Sequence, residues 1–224
     1  MRRYLRENSL SIVFGTMFLA ALVGQAFAGQ AEYNNQQQTL GLDTISWFEY
    51  VTSADYAVDI TENWQSEYLQ FLLYILLTIW LVQRGSPESK VLGSEGRETD
   101  EAQRVGGYAT TDSSRWAKAG GLVTSLYSRS LGLVMGLIFV GSWLAQSIAG
   151  WATYNEQRIG QLQDPLSWPT YLVSADFWSR SLQNWQSEFL AIGSMVVLSI
   201  YLRERGSPES KPVGVADNAT GTED

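Results

Sequence analysis

Four uncharged apolar runs interrupt an otherwise polar chain: LSIVFGTMFLAALVGQAFAG (10–29), YLQFLLYILLTIWLVQ (68–83), LGLVMGLIFVGSWLAQSIAGW (131–151) and FLAIGSMVVLSIYL (189–202). A helix needs about 20 predominantly apolar residues to cross a hydrocarbon core of ~30 Å. The first and third runs have that length; the second and fourth reach it once the turns at Trp64 and Trp185 are added. Just upstream, Trp178, Leu182, Trp185 and Phe189 fall on one helical stripe, and Ala57, Trp64 and Tyr68 take the corresponding places. Each stripe follows a Ser-Ala-Asp triplet, Ser53-Ala54-Asp55 or Ser174-Ala175-Asp176, which reads as a serine N-cap with an acid in the first turn. The pattern predicts helices over 54–83 and 175–204, and an all-α membrane protein. Its four transmembrane helices form two tandem parallel-topology hairpins with external amphipathic helical extensions.

Shifting the chain by 121 residues aligns 9–90 with 130–211 without a gap, with about 35 identities in about 82 positions. Arg2, Arg3 and Arg6 before the first run, with Ala26-Phe27-Ala28 after it, also resemble a secretory signal. The third run aligns with the first and lies in mid-chain, which favours a retained first helix over a cleaved one. Of the 15 Lys and Arg, 13 lie before the first run, between Arg84 and Arg129, or from Arg203 onward. Both termini and the linker are therefore expected on the cytoplasmic side. The organisation expected is a first two-helix repeat at 1–90, a disordered cytoplasmic linker at 91–121, a second repeat at 122–211 and a disordered tail at 212–224. Within 115–130 the residues Trp116, Leu122, Val123, Leu126 and Tyr127 recur at helical spacing, an interfacial segment leading into the third run.

Composition narrows the function classes. The chain has no His and no Cys, so the commonest general base, the commonest metal ligand and any thiolate site are missing. Its net charge of -8 opposes nucleic-acid binding. No enzyme activity, catalytic residue, cofactor or metal is expected. The expected partner is the lipid bilayer, together with further copies of the chain or another envelope protein.

Polar residues in apolar surroundings are the remaining candidates. Gln25, Asn63, Glu67, Gln146, Asn184 and Glu188 fall at similar depth and form a candidate polar girdle; the pentapeptide NWQSE, at 63–67 and 184–188, supplies four of them. Two readings stay open: a cation or proton site built on Glu67 and Glu188, or hydrogen bonds that hold helices together. Gly15, Ala20, Gly24 and Ala28 match Gly136, Gly141, Ala145 and Ala149, small residues that let the first and third helices pack closely as a central pair. RGSPESK, at 84–90 and 205–211, contains a helix stop in Gly85/Pro87 and Gly206/Pro208, which leaves the repeated Glu-Ser-Lys unexplained. The Trp residues cluster near the predicted interfaces as an aromatic belt.

NWQSE before an apolar helix, RGSPESK after it, and GQAFAG with a Tyr-Asn pair upstream resemble a family of small bacterial integral membrane proteins known only as a domain of unknown function. The resemblance covers roughly 1–90 and 122–211. It implies a multi-pass protein of the bacterial inner (plasma) membrane and supplies no substrate, cofactor or catalytic residue. The function expected is a structural or interaction role in the envelope; the alternative is a small ion, proton or solute channel or transporter with its polar site between the repeats.

Overall fold

The computed structural model describes residues 2–221, and residues 222–224 of the expected tail lie outside the described residues. Among the described residues there is no strand. The helices are α1 (Arg2–Glu7), α2 (Ser9–Thr39), α3 (Trp47–Val51), α4 (Ala54–Leu77), α5 (Arg115–Lys118), α6 (Gly121–Tyr127), α7 (Ser130–Gly160), α8 (Trp168–Leu172) and α9 (Ala175–Tyr201), with one 3-10 turn at Gly106–Tyr108. The expected caps are present: Ser174 Oγ accepts from the Phe177 N–H and Ser53 Oγ from the Tyr56 N–H, each at 3.3 Å. At α3, Ser46 and Glu49 close a capping box, and these bonds hold the Glu49 carboxyl below its ordinary value.

Among the described residues two helices, not four, are long and apolar enough to cross a membrane: α2 and α7, of 31 residues each. At 1.5 Å per residue each is ~46 Å long. The other two stop early, at Leu77 and Tyr201 rather than at 83 and 204. Their apolar helical parts, Tyr68 to Leu77 and Phe189 to Tyr201, are therefore only ~15 and ~20 Å long. The cause lies beyond the runs. After α4, the Gly96 N–H takes the Ile79 carbonyl at 2.7 Å and Ser89 Oγ takes the Gln83 N–H at 2.8 Å. After α9, the Arg203 guanidinium donates to the Ile200 carbonyl at 2.9 Å and Ser210 Oγ accepts from the Glu204 N–H at 2.9 Å. Backbone groups just past each helix, which a continued helix would pair with one another, thus find other partners.

The chain divides into two compact units. The first holds the chain up to Thr61 and Ala145–Tyr171. Its core is Ala26, Tyr50 and Tyr56, with Leu22, Tyr33, Ile45, Val51 and Ile60 packed on them. The Tyr50 ring lies 5.4 Å from that of Tyr56 and 5.9 Å from that of Tyr33. Glycine is required at two places here. A Cβ at Gly29 would overlap the Tyr50 hydroxyl, and one at Gly150 would come within 2.5 Å of the Tyr171 hydroxyl.

The second unit holds Glu62–Leu144 and the chain from Leu172 onward. Trp143 of α7 is its aromatic centre, with Phe139, Phe177, Trp178 and Trp185 at ring distances of 5.7, 5.9, 6.0 and 5.6 Å. Towards the start of α7, a Cβ at Gly132 or Gly136 would stand in ordinary contact with Leu76 or Leu72 of α4.

The small residues of the expected helix pair differ in their surroundings. Gly15, Gly24 and Gly141 have open space where a Cβ would stand, and Ala20, Ala28 and Ala145 are exposed. Only Gly136, against Leu72, and Ala149, which is buried, sit in contacts. At Gly136 the neighbour is Leu72 of α4, 3.8 Å from where a Cβ would stand.

Candidate functional site

In the first unit the repeated Tyr-Asn pair anchors loops. Asn34 Nδ2 donates to the Ile45 carbonyl at 2.9 Å and its Oδ1 accepts from the Ile45 N–H at 2.8 Å. Asn155 makes the same two bonds to Leu166, at 2.9 and 2.8 Å. Gln30 and Trp151, one helical turn earlier on their own helices, donate to those same carbonyls at 3.1 and 2.7 Å. An extended loop that would otherwise leave backbone groups unpaired is thereby satisfied from the helix side. Tyr50 is buried beneath this anchor. Burial first, then the charges of Asp59 and Asp55, push its hydroxyl up to about 12, so it stays neutral.

Gln25 and Gln146 belong to this unit, and their environments differ. Gln25 is half-buried, whereas Gln146 is 1% exposed and neither its Nε2 nor its Oε1 has a hydrogen-bond partner. Such a buried unpaired amide costs about 1–3 kcal/mol.

The other four girdle residues belong to the second unit. Asn63 and Glu67 are exposed, while Asn184 and Glu188 are half-buried. Asn184 Nδ2 donates back to the Arg180 carbonyl at 2.9 Å. NWQSE turns inward through other residues: Gln65 and Ser66 are fully buried, and Gln65 Oε1 accepts from Trp185 Nε1 at 2.7 Å. Gln65 Nε2 donates to the Glu62 carbonyl at 3.0 Å, and the Glu62 carboxylate pairs with Arg180 at 3.5 Å. Trp143 Nε1 donates to Ser181 Oγ at 3.2 Å and Trp178 Nε1 to the Leu172 carbonyl at 3.0 Å. All three indoles of this cluster thus have both ring contacts and a polar partner.

The RGSPESK turns, also in the second unit, account for the repeated Glu-Ser-Lys. Gly85 and Gly206 have φ of +87 and +90, the left-handed region that glycine adopts without strain. Ser86 Oγ accepts from the Glu88 N–H and Ser207 Oγ from the Glu209 N–H. Ser89 and Ser210 close each turn back onto the helix end, as described above. The lysines differ. Lys90 Nζ donates to the Gly96 carbonyl at 2.8 Å and pairs with Glu98 at 3.1 Å. Lys211 Nζ is buried among the carbonyls of Gly85, Ala216, Asp217 and Ala219, at 2.7 to 3.3 Å. Burial, with Arg203 beside it, draws its pKa down, and Asp217 opposes this. Thr220 Oγ1 accepts from the Gly85 N–H at 2.8 Å, so the chain after Lys211 lies across the first turn. Although much of Glu88 is open to solvent, its carboxyl lies beside Tyr74 and Glu209. Partial burial first, then the Glu209 carboxyl, raises its pKa, and the Tyr74 hydroxyl opposes this.

Residues outside the candidate set therefore carry much of the polar structure: Gln65, Ser66, Asn34, Asn155 and Lys211. Each is identical to its counterpart 121 residues away, and identity at a polar position in an otherwise diverged alignment is the signal that finds them. Trp143 carries no such signal, because its counterpart is Leu22.

Residues 1–222 match a family described as a domain of unknown function, DUF6766, and the chain belongs to that family. No curated protein and no solved structure matches the chain.

Proposed function

We propose that this member of the DUF6766 family is an integral protein of the bacterial inner membrane, with an internally duplicated helical unit and a structural or interaction role. The observation that carries the reading is the exposure of α2 and α7: only 6% and 17% of their most apolar stretches are buried. A soluble core helix would be covered, and α7, in mid-chain, is not a leader sequence. Lipid is the solvent that suits such a surface. The basic residues before α2, between α4 and α7, and after α9 assign both termini and the linker to the cytoplasmic side. This orientation assigns the return passes to α4 and α9, whose full helices, Ala54–Leu77 and Ala175–Tyr201, are ~36 and ~40 Å long.

A structural role is favoured over transport by the second unit, where the buried Gln65 and the partly exposed rings of Trp143, Trp178 and Trp185 each have their side-chain polar atoms paired. Glu67, which a proton path would use, is exposed. The test uses the cysteine-free chain as its own background. Single cysteines at Ser113 and Asp43 are treated, in intact cells, with a membrane-impermeant maleimide. Labelling at Asp43 alone is expected; labelling at Ser113 overturns the orientation. Proton or cation flux in liposomes that Glu67→Gln/Glu188→Gln abolishes, in a variant that still folds, would overturn the structural role.

A further inference from the structure

The helix pair before α7 is built inside out. Thr124, a polar residue of α6, is buried: its hydroxyl accepts from the Gly120 N–H at 2.8 Å and donates to the Trp116 carbonyl at 2.8 Å, pinning α6 back onto α5. Gly120 and Gly121, with φ of +73 and +57, make the reversal. The apolar side chains point the other way. Leu122 is 75% exposed, and Trp116, Val123, Leu126 and Tyr127 are 43% to 53% exposed. A pair folded for water would bury these and expose the threonine.

Charge says what covers them. Arg115, Lys118 and Arg129 flank the apolar residues, and no Asp or Glu occurs between Asp112 and Glu156, although the whole chain carries a net charge of -8. The Arg115 guanidinium lies 4.5 Å over the Trp116 ring, which presents cation and aromatic side by side. The Arg129 guanidinium has no partner among the described residues, and α7 begins at the next residue. An amphipathic surface with a cationic border suits the headgroup region of an anionic leaflet.

We infer that the α5–α6 surface docks on the cytoplasmic leaflet through anionic phospholipid headgroups, and so sets the level at which α7 enters the bilayer. The inference rests on the reading of α7 as a membrane helix, and the test separates the two. The full chain carries one cysteine labelled with an environment-sensitive fluorophore, at Leu126 or, as reference, at Leu137 within α7. It is reconstituted in nanodiscs of phosphatidylcholine alone or with phosphatidylglycerol, and acrylamide quenching is measured. The Leu137 probe is expected to be shielded in both lipids, and the Leu126 probe only with phosphatidylglycerol. Arg115→Gln/Lys118→Gln/Arg129→Gln is expected to remove that difference, at about fivefold in the docked-to-free ratio per charge and about a hundredfold in all. A Leu126 probe equally accessible in both lipids overturns the proposal. So does shielding that survives the triple substitution, which would mean a protein partner or purely apolar contact. An accessible Leu137 probe overturns the membrane reading itself.

Discussion

Asn34 and Asn155 hold their loops with the same two bonds, yet Leu22 and Trp143, also 121 residues apart, make unlike contacts. The Leu22 carbonyl accepts from the Tyr56 hydroxyl at 3.2 Å, whereas the Trp143 ring stacks on Phe177 at 5.9 Å. Tyr56 and Phe177 are themselves counterparts, so a ring pair stands where the hydroxyl is lost. A two-bond amide clamp has no isosteric substitute, because either bond lost leaves a backbone group unpaired. Apolar contact tolerates exchange so long as volume is kept. The asparagine clamps thus agree between the segments 9–90 and 130–211, whereas the Tyr56–Leu22 hydrogen bond of one gives way to a ring pair in the other.

The comparison can be broken by substitution. The largest effect is expected for Trp143→Ala, about 3 kcal/mol from loss of a half-buried ring with four aromatic neighbours, with roughly half as much for the smaller, equally half-buried Leu22 in Leu22→Ala. Equal losses in denaturant unfolding, followed by helical circular dichroism in micelles, would dissolve the asymmetry. Gly29→Ala and Gly150→Ala should each cost about 1–3 kcal/mol by overpacking. Tyr171→Phe should restore Gly150→Ala, since the remaining ring carbon stands 3.4 Å from the new Cβ. Tyr50→Phe should restore Gly29→Ala only partly, because there the ring carbon is at 2.8 Å. Asn34→Ala and Asn155→Ala should lose similar amounts, about 1–2 kcal/mol, with the buried Asn155 the costlier.

The remaining effect is a pH dependence. Tyr50 titrates near 12 when folded and near 10 when unfolded. Its contribution is complete below pH ~10 and is lost as pH rises towards 12, because only the unfolded chain releases the proton in that window. Tyr50→Phe should flatten the stability profile there by at most about 1.4 kcal/mol per pH unit.

Much of this was legible in the sequence. The apolar runs of α2 and α7 and the serine caps at Ser53 and Ser174 depend on neighbours a few residues away, so local pattern finds them; Gly85 and Gly206 make left-handed turns but do not stop the helices, which end at Leu77 and Tyr201. The ends of α4 and α9 were not legible, since Gly96, Ser89 and Ser210 reach back to the backbone just past them. The girdle was legible only in part. Asn63 and Glu67 lie one turn apart on a single face, while Gln65 is ~200° round the helix from Asn63, and periodicity alone does not say which side faces inward. Trp185 decides it by donating to Gln65.

By itself, the sequence determined which stretches are the most apolar and where the helices capped by Ser53 and Ser174 start, because hydropathy and capping act within one or two turns. Tertiary structure decided that Gln65 rather than Glu67 is buried, that Gly29 and Gly150 make room for tyrosine hydroxyls, and that Lys211 is caged by carbonyls from two turns. Each of these needs atoms far apart in the chain brought within ~3 Å, where hydrogen bonding and steric overlap act.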